Sequence, residues 1–171
     1  MQRRTDDYGG SFENRIRFLL EIIAAMRAVI PESMPLWLRI SATEWMDHTG
    51  QPSWDMDESI RLAKLLPALG VDVLDVSSGG NHRDQRIEPH NSYQTDLAGR
   101  IRAAVRAEGL DLTIAAVGRI WDAKTANSVV EEGKADLVLA ARQFLRDPHF
   151  VLNVARDLDV KVKKANQYER S

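Results

Sequence analysis

One local pattern recurs three times along this chain and narrows its fold more than any other feature. A helix-like segment ends at a glycine, an aspartate follows shortly, and a short, wholly apolar run comes next. The three copies are 60–69, Gly70, Asp72 and 73–77; 97–107, Gly109, Asp111 and 112–118; and 123–132, Gly133, Asp136 and 137–141. Glycine suits the position past a helix C-terminus because the left-handed conformation there is free of strain for it. Runs that are apolar throughout, rather than alternating, are what strands covered on both faces look like. A fourth strand, 36–41, follows a long amphipathic helix over about 12–29, with Pro31 and Pro35 marking the break.

Strands regularly separated by helices pair in parallel through right-handed crossovers. Two architectures satisfy this order: an open doubly wound sheet, or part of a (β/α)8 barrel. Periodicity does not separate them. A whole barrel needs about 250 residues, whereas this chain has 171 residues and four readable strands. If it is a barrel, it is half of one, a single domain over 1–171 without a linker.

The remaining function classes narrow by exclusion. A net charge of -2 gives no electrostatic footprint for nucleic acid or an anionic membrane. No apolar run approaches the roughly 20 residues of a membrane span, and no signal-peptide pattern opens the chain. With 0 cysteines there are no disulfides, thiolate nucleophiles or thiolate-bound metals, which agrees with a cytoplasmic location. His48, His82, His90 and His149 lack ligand-like spacing, so no metal site is expected. GxGxxG and GxxxxGK[ST] are both missing, which counts against a Rossmann or P-loop nucleotide site.

In either architecture ligands bind at the C-terminal ends of the strands. Those ends read Arg39-Ile40-Ser41-Ala42, Ser77-Ser78-Gly79-Gly80, Val117-Gly118-Arg119-Ile120 and Ala140-Ala141-Arg142-Gln143. Arg39 lies inside an apolar strand, where an unpaired charge is costly. It is either half of a structural ion pair or a fixed cation facing an anionic or electron-accepting ring. After the last two strands of a barrel, backbone N–H groups and a short extra helix often form a phosphate site. Gly118 and the Ala141-Arg142 pair stand there, and 143–147 reads as that short helix, stopped before Pro148.

At the beginning of the chain, Arg3-Arg4-Thr5-Asp6-Asp7-Tyr8-Gly9-Gly10-Ser11-Phe12-Glu13-Asn14-Arg15, followed by Phe18-Leu19-Leu20-Glu21, strongly resembles a long, specific string of the Old Yellow Enzyme family. LRIS, DVSSGG, VGRI, DLVLAARQFLRDP and QYER then follow in the order of that family's second half. The resemblance covers essentially the whole chain. It implies strands five to eight of a (β/α)8 barrel and an FMN-dependent, NAD(P)H-consuming oxidoreductase that reduces activated alkenes such as enones. By that resemblance Arg39 stands beside the pyrimidine end of the flavin, and Gly118, Arg119, Ala141 and Arg142 grip the phosphate. The family usually has Gly-Arg where this chain has Ala141-Arg142. Arg170, in the closing Gln-Tyr-Glu-Arg, matches an arginine that reaches into a neighbouring subunit's site, which implies a homo-oligomer.

The same resemblance assigns no catalytic residue to this chain. The substrate-holding pair and the proton-donating tyrosine belong to the first half, and neither Tyr8 nor Tyr93 occupies the matching motif. The expected partners are therefore the N-terminal half or another copy, and the chain alone is expected to be inactive. Two other readings stay open: a non-catalytic half-barrel that binds or assembles, and a different phosphate-binding β/α enzyme.

Overall fold

The structure, a computed structural model, describes residues 4–88 and 90–168. Helix α1 (Phe12–Arg27) leads into β1 (Trp37–Ser41), and α2 (Met56–Leu65) into β2 (Val73–Ser77). Then come α3 (Tyr93–Ala107), β3 (Thr113–Val117), α4 (Ala123–Glu131), β4 (Leu137–Leu139), and two helices, α5 (Arg142–Arg146) and α6 (Phe150–Asp157). The four strands form one sheet in the order β1-β2-β3-β4, with every pair parallel.

The helix starts follow from side-chain chemistry. Ser11, Asp55 and Asp122 are extended cap residues whose side chains accept the N–H of Asn14, Glu58 and Thr125. Each such cap stabilises a helix by about 1 kcal/mol. The expected helix 60–69 departs from what is seen. The α-helix stops at Leu65 and a 3-10 turn covers Pro67–Leu69, because proline has no N–H to continue the ladder. The last strand is also shorter than expected, three residues instead of five, and α5 begins at Arg142, directly after Ala141.

The recurring aspartates hold the bottom of the sheet together. Asp72, before β2, accepts the N–H of Leu36 at 2.7 Å and Nη2 of Arg27 at 2.5 Å. Asp136, before β4, accepts the N–H of Ile114 at 2.9 Å and Nε of Arg102 at 2.9 Å. Each thus ties the start of the preceding strand to the helix that leads into it. Arg27 also donates to the carbonyl of Gly70, whose φ of 79° and whose lack of a side chain let the guanidinium come close. Asp111, in the second copy, is fully exposed and among the described residues reaches only Arg106 at 3.9 Å.

The two faces of the sheet differ sharply. Leu74, Val76, Ile114 and Ala116 point to the helices and join Leu62, Leu66, Ile101 and Val105 in the core. Each large aliphatic side chain buried this way contributes about 1.5–3 kcal/mol. The alternate residues, Trp37, Arg39, Asp75, Ala115 and Leu137, lie outside that cluster on the opposite face. On that face Trp37 is 49 % exposed and Arg39 is exposed, whereas Val73, Asp75 and Ala115 are buried. The wholly apolar strands predict cover on both faces; among the described residues the helix side alone is covered along all four strands, and the other face is exposed at Trp37, Arg39 and Leu137. A barrel buries the second face by closing eight strands on themselves, and four are present.

Candidate rim site at the ends of β3 and β4

Parallel strands in register put all four C-terminal ends on one side of the sheet. At the end of β3 the backbone turns through Gly118 (φ 117°) and Arg119 (φ 56°). Gln94, buried in the first turn of α3, explains the glycine. Its Nε2 donates to the carbonyl of Val117 at 2.7 Å, and its Oε1 accepts the N–H of Ser78 at 3.0 Å. A methyl group added at Gly118 would lie 2.2 Å from that Nε2, which no real contact tolerates. Gln94 therefore cross-links the ends of β2 and β3, and a side chain at 118 would have to displace its amide as well as adopt a strained positive φ.

Between the ends of β3 and β4 lies a cavity of about 200 Å3 lined by Gly118, Arg119, Ala141, Arg142, Gln143 and Arg146, among others. Among the described residues no acidic side chain lines it. Arg142 and Arg146 make no hydrogen bond or ion pair among the described residues. Arg119 stacks its guanidinium 5.4 Å from the ring centre of Trp121, and its buried Nε has no partner. Three guanidiniums without a compensating carboxylate make the cavity a place for an anion, and arginine meets phosphate oxygens bidentately. Helix α5, five residues long, has little dipole of its own, so the positive field comes from the side chains. Ala141 has a negative φ of -118°, so its methyl group sits there without backbone strain.

Arg39 projects from β1 on the uncovered face. Its Nε donates to Oδ2 of Asp75, its register partner on β2, at 2.5 Å. Burial pushes the Asp75 carboxyl above the usual aspartate range, and the Arg39 guanidinium opposes that only in part. The ion-pair reading of Arg39 is thus seen directly, while the arginine itself stays 59 % exposed.

The family profile of the NADH:flavin oxidoreductase / NADH oxidase family matches residues 1–161. The chain belongs to that family. It is 43% identical to an NADH:flavin oxidoreductase of Gibberella zeae over 99% of its own length and 42% of that protein's. It is 39% identical to the NADPH dehydrogenase of Bacillus subtilis, covering 98% of this chain and 46% of the relative. The chain thus spans less than half the length of these curated relatives. Among solved structures, histamine dehydrogenase from Rhizobium sp. 4-9 superposes with a TM-score of 0.71 over 91% of this chain and 22% of that one. At 23% identity that likeness shows the fold alone: four parallel strands alternating with helices, as in part of a (β/α)8 barrel.

In this NADH:flavin oxidoreductase-family chain, Gly118, Arg119, Ala141 and Arg142 come together in one cavity, and Arg39 sits two strands away. Arg170 lies outside the described residues. Sequence reasoning missed Gln94, Arg146 and Asp75. Gln94 and Arg146 carry no local signature, being one polar residue among several on their helices. Asp75 had a signal, a carboxylate inside an apolar strand level with Arg39. No group of three or more potential metal ligands occurs among the described residues, nor any helix long and apolar enough to cross a membrane. Tyr8 donates its hydroxyl to Glu21 at 3.1 Å, at the surface beside α1.

Proposed function

We propose that this chain contributes the phosphate and pyrimidine-end side of an FMN site in an ene-reductase-type oxidoreductase that uses NAD(P)H. The observation that carries the reading is the cavity between β3 and β4, lined by Gly118, Arg119, Arg142 and Arg146 and, among the described residues, by no acid. These residues fit a phosphate monoester: among the described residues two cations lack a protein partner and one buried Nε–H is unsatisfied, and Gln94 fixes the backbone next to Gly118. When bound, the flavin supplies hydride transfer between the nicotinamide and an activated alkene.

The chain's own residues bind and orient. Arg142 and Arg146 neutralise the phosphate, Gly118 admits it close to the main chain, and Arg39 presents a cation where negative charge develops on reduction. No residue of this chain is assigned to proton donation, so the 171 residues alone are expected to leave an enone unreduced. The test is to titrate the purified chain with FMN and with riboflavin, following fluorescence quenching, and then to add NADPH and an enone. Quenching stronger with FMN than with riboflavin, without enone reduction, is the expected result. Equal response to the two flavins removes the phosphate assignment, and turnover by the pure chain removes the half-site reading.

A second reading, a non-catalytic assembly module, is favoured by surface rather than by chemistry. Trp37 on the far sheet face, a stripe of Phe18, Ile22 and Met26 on α1, and Val29 just past the end of that helix are exposed apolar groups, and among the described residues β1 and β4 each have one unpaired edge. Such surfaces call for a complementary half or another copy, whichever activity results. A stable dimer that binds no flavin would favour this reading.

A further inference from the structure

Among the described strands, Asp75 is the one acidic side chain in the sheet. It sits in mid-strand on β2, 7 % exposed, with Oδ1 buried and without a hydrogen-bond partner among the described residues. Its neighbour on β3 is Ala115, which offers only a methyl group. A carboxylate left half-satisfied in such a place opposes folding, since burial penalises a charge and each unpaired acceptor adds to that. An aliphatic residue would serve packing better. What the carboxylate does make is one contact, to the Nε of Arg39.

That contact has a particular geometry. A carboxylate meeting an arginine for stability alone usually takes the fork with two parallel hydrogen bonds. Here Oδ2 takes the Nε edge alone, and neither Nη group bonds to any described residue. Arg39 is thereby fixed at its inner edge while two nitrogens stay available on the uncovered face.

We propose that Asp75 is the positioning residue for Arg39. It holds the guanidinium by Nε so that the Nη groups meet the electron-accepting end of a flavin ring, and its negative charge offsets part of the arginine's field there. The inference rests on the assignment of Arg39 to the flavin under the proposed function. Two consequences separate position from charge. Asp75→Asn keeps an acceptor for Nε and removes the negative charge, so the bound flavin feels a stronger cation. Asp75→Ala removes both, so Arg39 is no longer held.

The experiment uses the purified chain, riboflavin as the probe, and sulfite as a reporter. Sulfite forms a bond to the flavin N5 and leaves the electron pair as negative charge at the pyrimidine end, so its affinity reads the local positive field. Asp75→Asn is expected to keep riboflavin affinity within about threefold of wild type and to tighten sulfite binding by roughly threefold or more. Asp75→Ala is expected to weaken riboflavin binding by about tenfold and to weaken sulfite binding as well. If both Asp75 variants match wild type while Arg39→Ala binds riboflavin poorly, the role of Asp75 is overturned and that of Arg39 stands. If all three variants match wild type, or the wild-type chain quenches no flavin, the assignment of Arg39 falls and this inference with it. Should Asp75→Ala fail to fold, tighter sulfite binding at an unchanged riboflavin affinity in Asp75→Asn still decides, and unchanged sulfite binding there overturns the role of Asp75.

Discussion

The two ends of the sheet are built to different rules. At the end where strands begin, each of Asp72 and Asp136 is satisfied by a backbone N–H and an arginine. At the end where strands finish, polar groups are left over. Arg142 and Arg146 have no partner among the described residues, the Nε of Arg119 is buried and unsatisfied, and so is the indole N–H of Trp45 in the loop after β1. Satisfied networks stabilise, whereas unsatisfied ones persist only where something else selects them. The division is what a barrel enzyme shows when one face carries stability and the other carries ligands.

The largest test of that division is at Asp136. Asp136→Ala strips an acceptor from the N–H of Ile114 and a counter-charge from Arg102, and should lower stability by about 3 kcal/mol in urea unfolding. A loss below about 1 kcal/mol would erase the contrast between the ends. Next in size is Gly118→Ala, the one rim change predicted to destabilise strongly. Its positive φ and the 2.2 Å approach to Gln94 should lower stability by about 2 kcal/mol. The double change Gln94→Ala with Gly118→Ala should recover part of that loss, and failure to do so would mean the strain lies in φ alone.

Arg142→Ala and Arg146→Ala should leave the unfolding midpoint unchanged within about 0.5 kcal/mol while each weakens FMN binding about tenfold. Riboflavin binding should hardly change in either variant. A rim arginine whose loss melts the protein would place that residue with the structural set.

The smallest effect is in the pH dependence. Burial acts to raise the Asp136 carboxyl, but the N–H of Ile114 and the guanidinium of Arg102 outweigh it, and the net shift is below the ordinary value of 3.8. A depressed carboxyl contributes stability that is present above its unfolded value and lost as pH falls through the folded one. Asp136→Asn should therefore flatten the acid arm of the stability curve below pH 3.8. Asp75 has the opposite sign. Its carboxyl is raised, so Asp75→Asn should remove a small loss of stability that sets in as pH rises through the carboxylate range. An acid arm unmoved by Asp136→Asn would break the comparison from its weakest side.

Much of this was legible beforehand, and the reasons differ from one element to another. The helix–glycine–aspartate–strand repeat identifies parallel βα units because it is local: caps, breakers and apolar runs act within a few residues. Gly118 and Arg142 were legible as strand-end residues for the same reason. Gln94 was not, because its meaning depends on two strand ends that come together only in the folded sheet. The early stop of α2 at Leu65 was legible in Pro67 and was overrun by the apolar periodicity around it. The aspartates of the repeat were read as punctuation, and the structure gives two of them a task across strands while leaving Asp111 in water.

Local chemistry along the chain determined the order of elements, the parallel pairing and the family, since each depends on residue types at short spacing. Only the tertiary structure decided that Arg39 is held by Asp75, that Gln94 guards Gly118, and that one sheet face stands uncovered. Those facts depend on which side chains the crossovers carry to the same place, across separations of 24 to 36 residues in sequence.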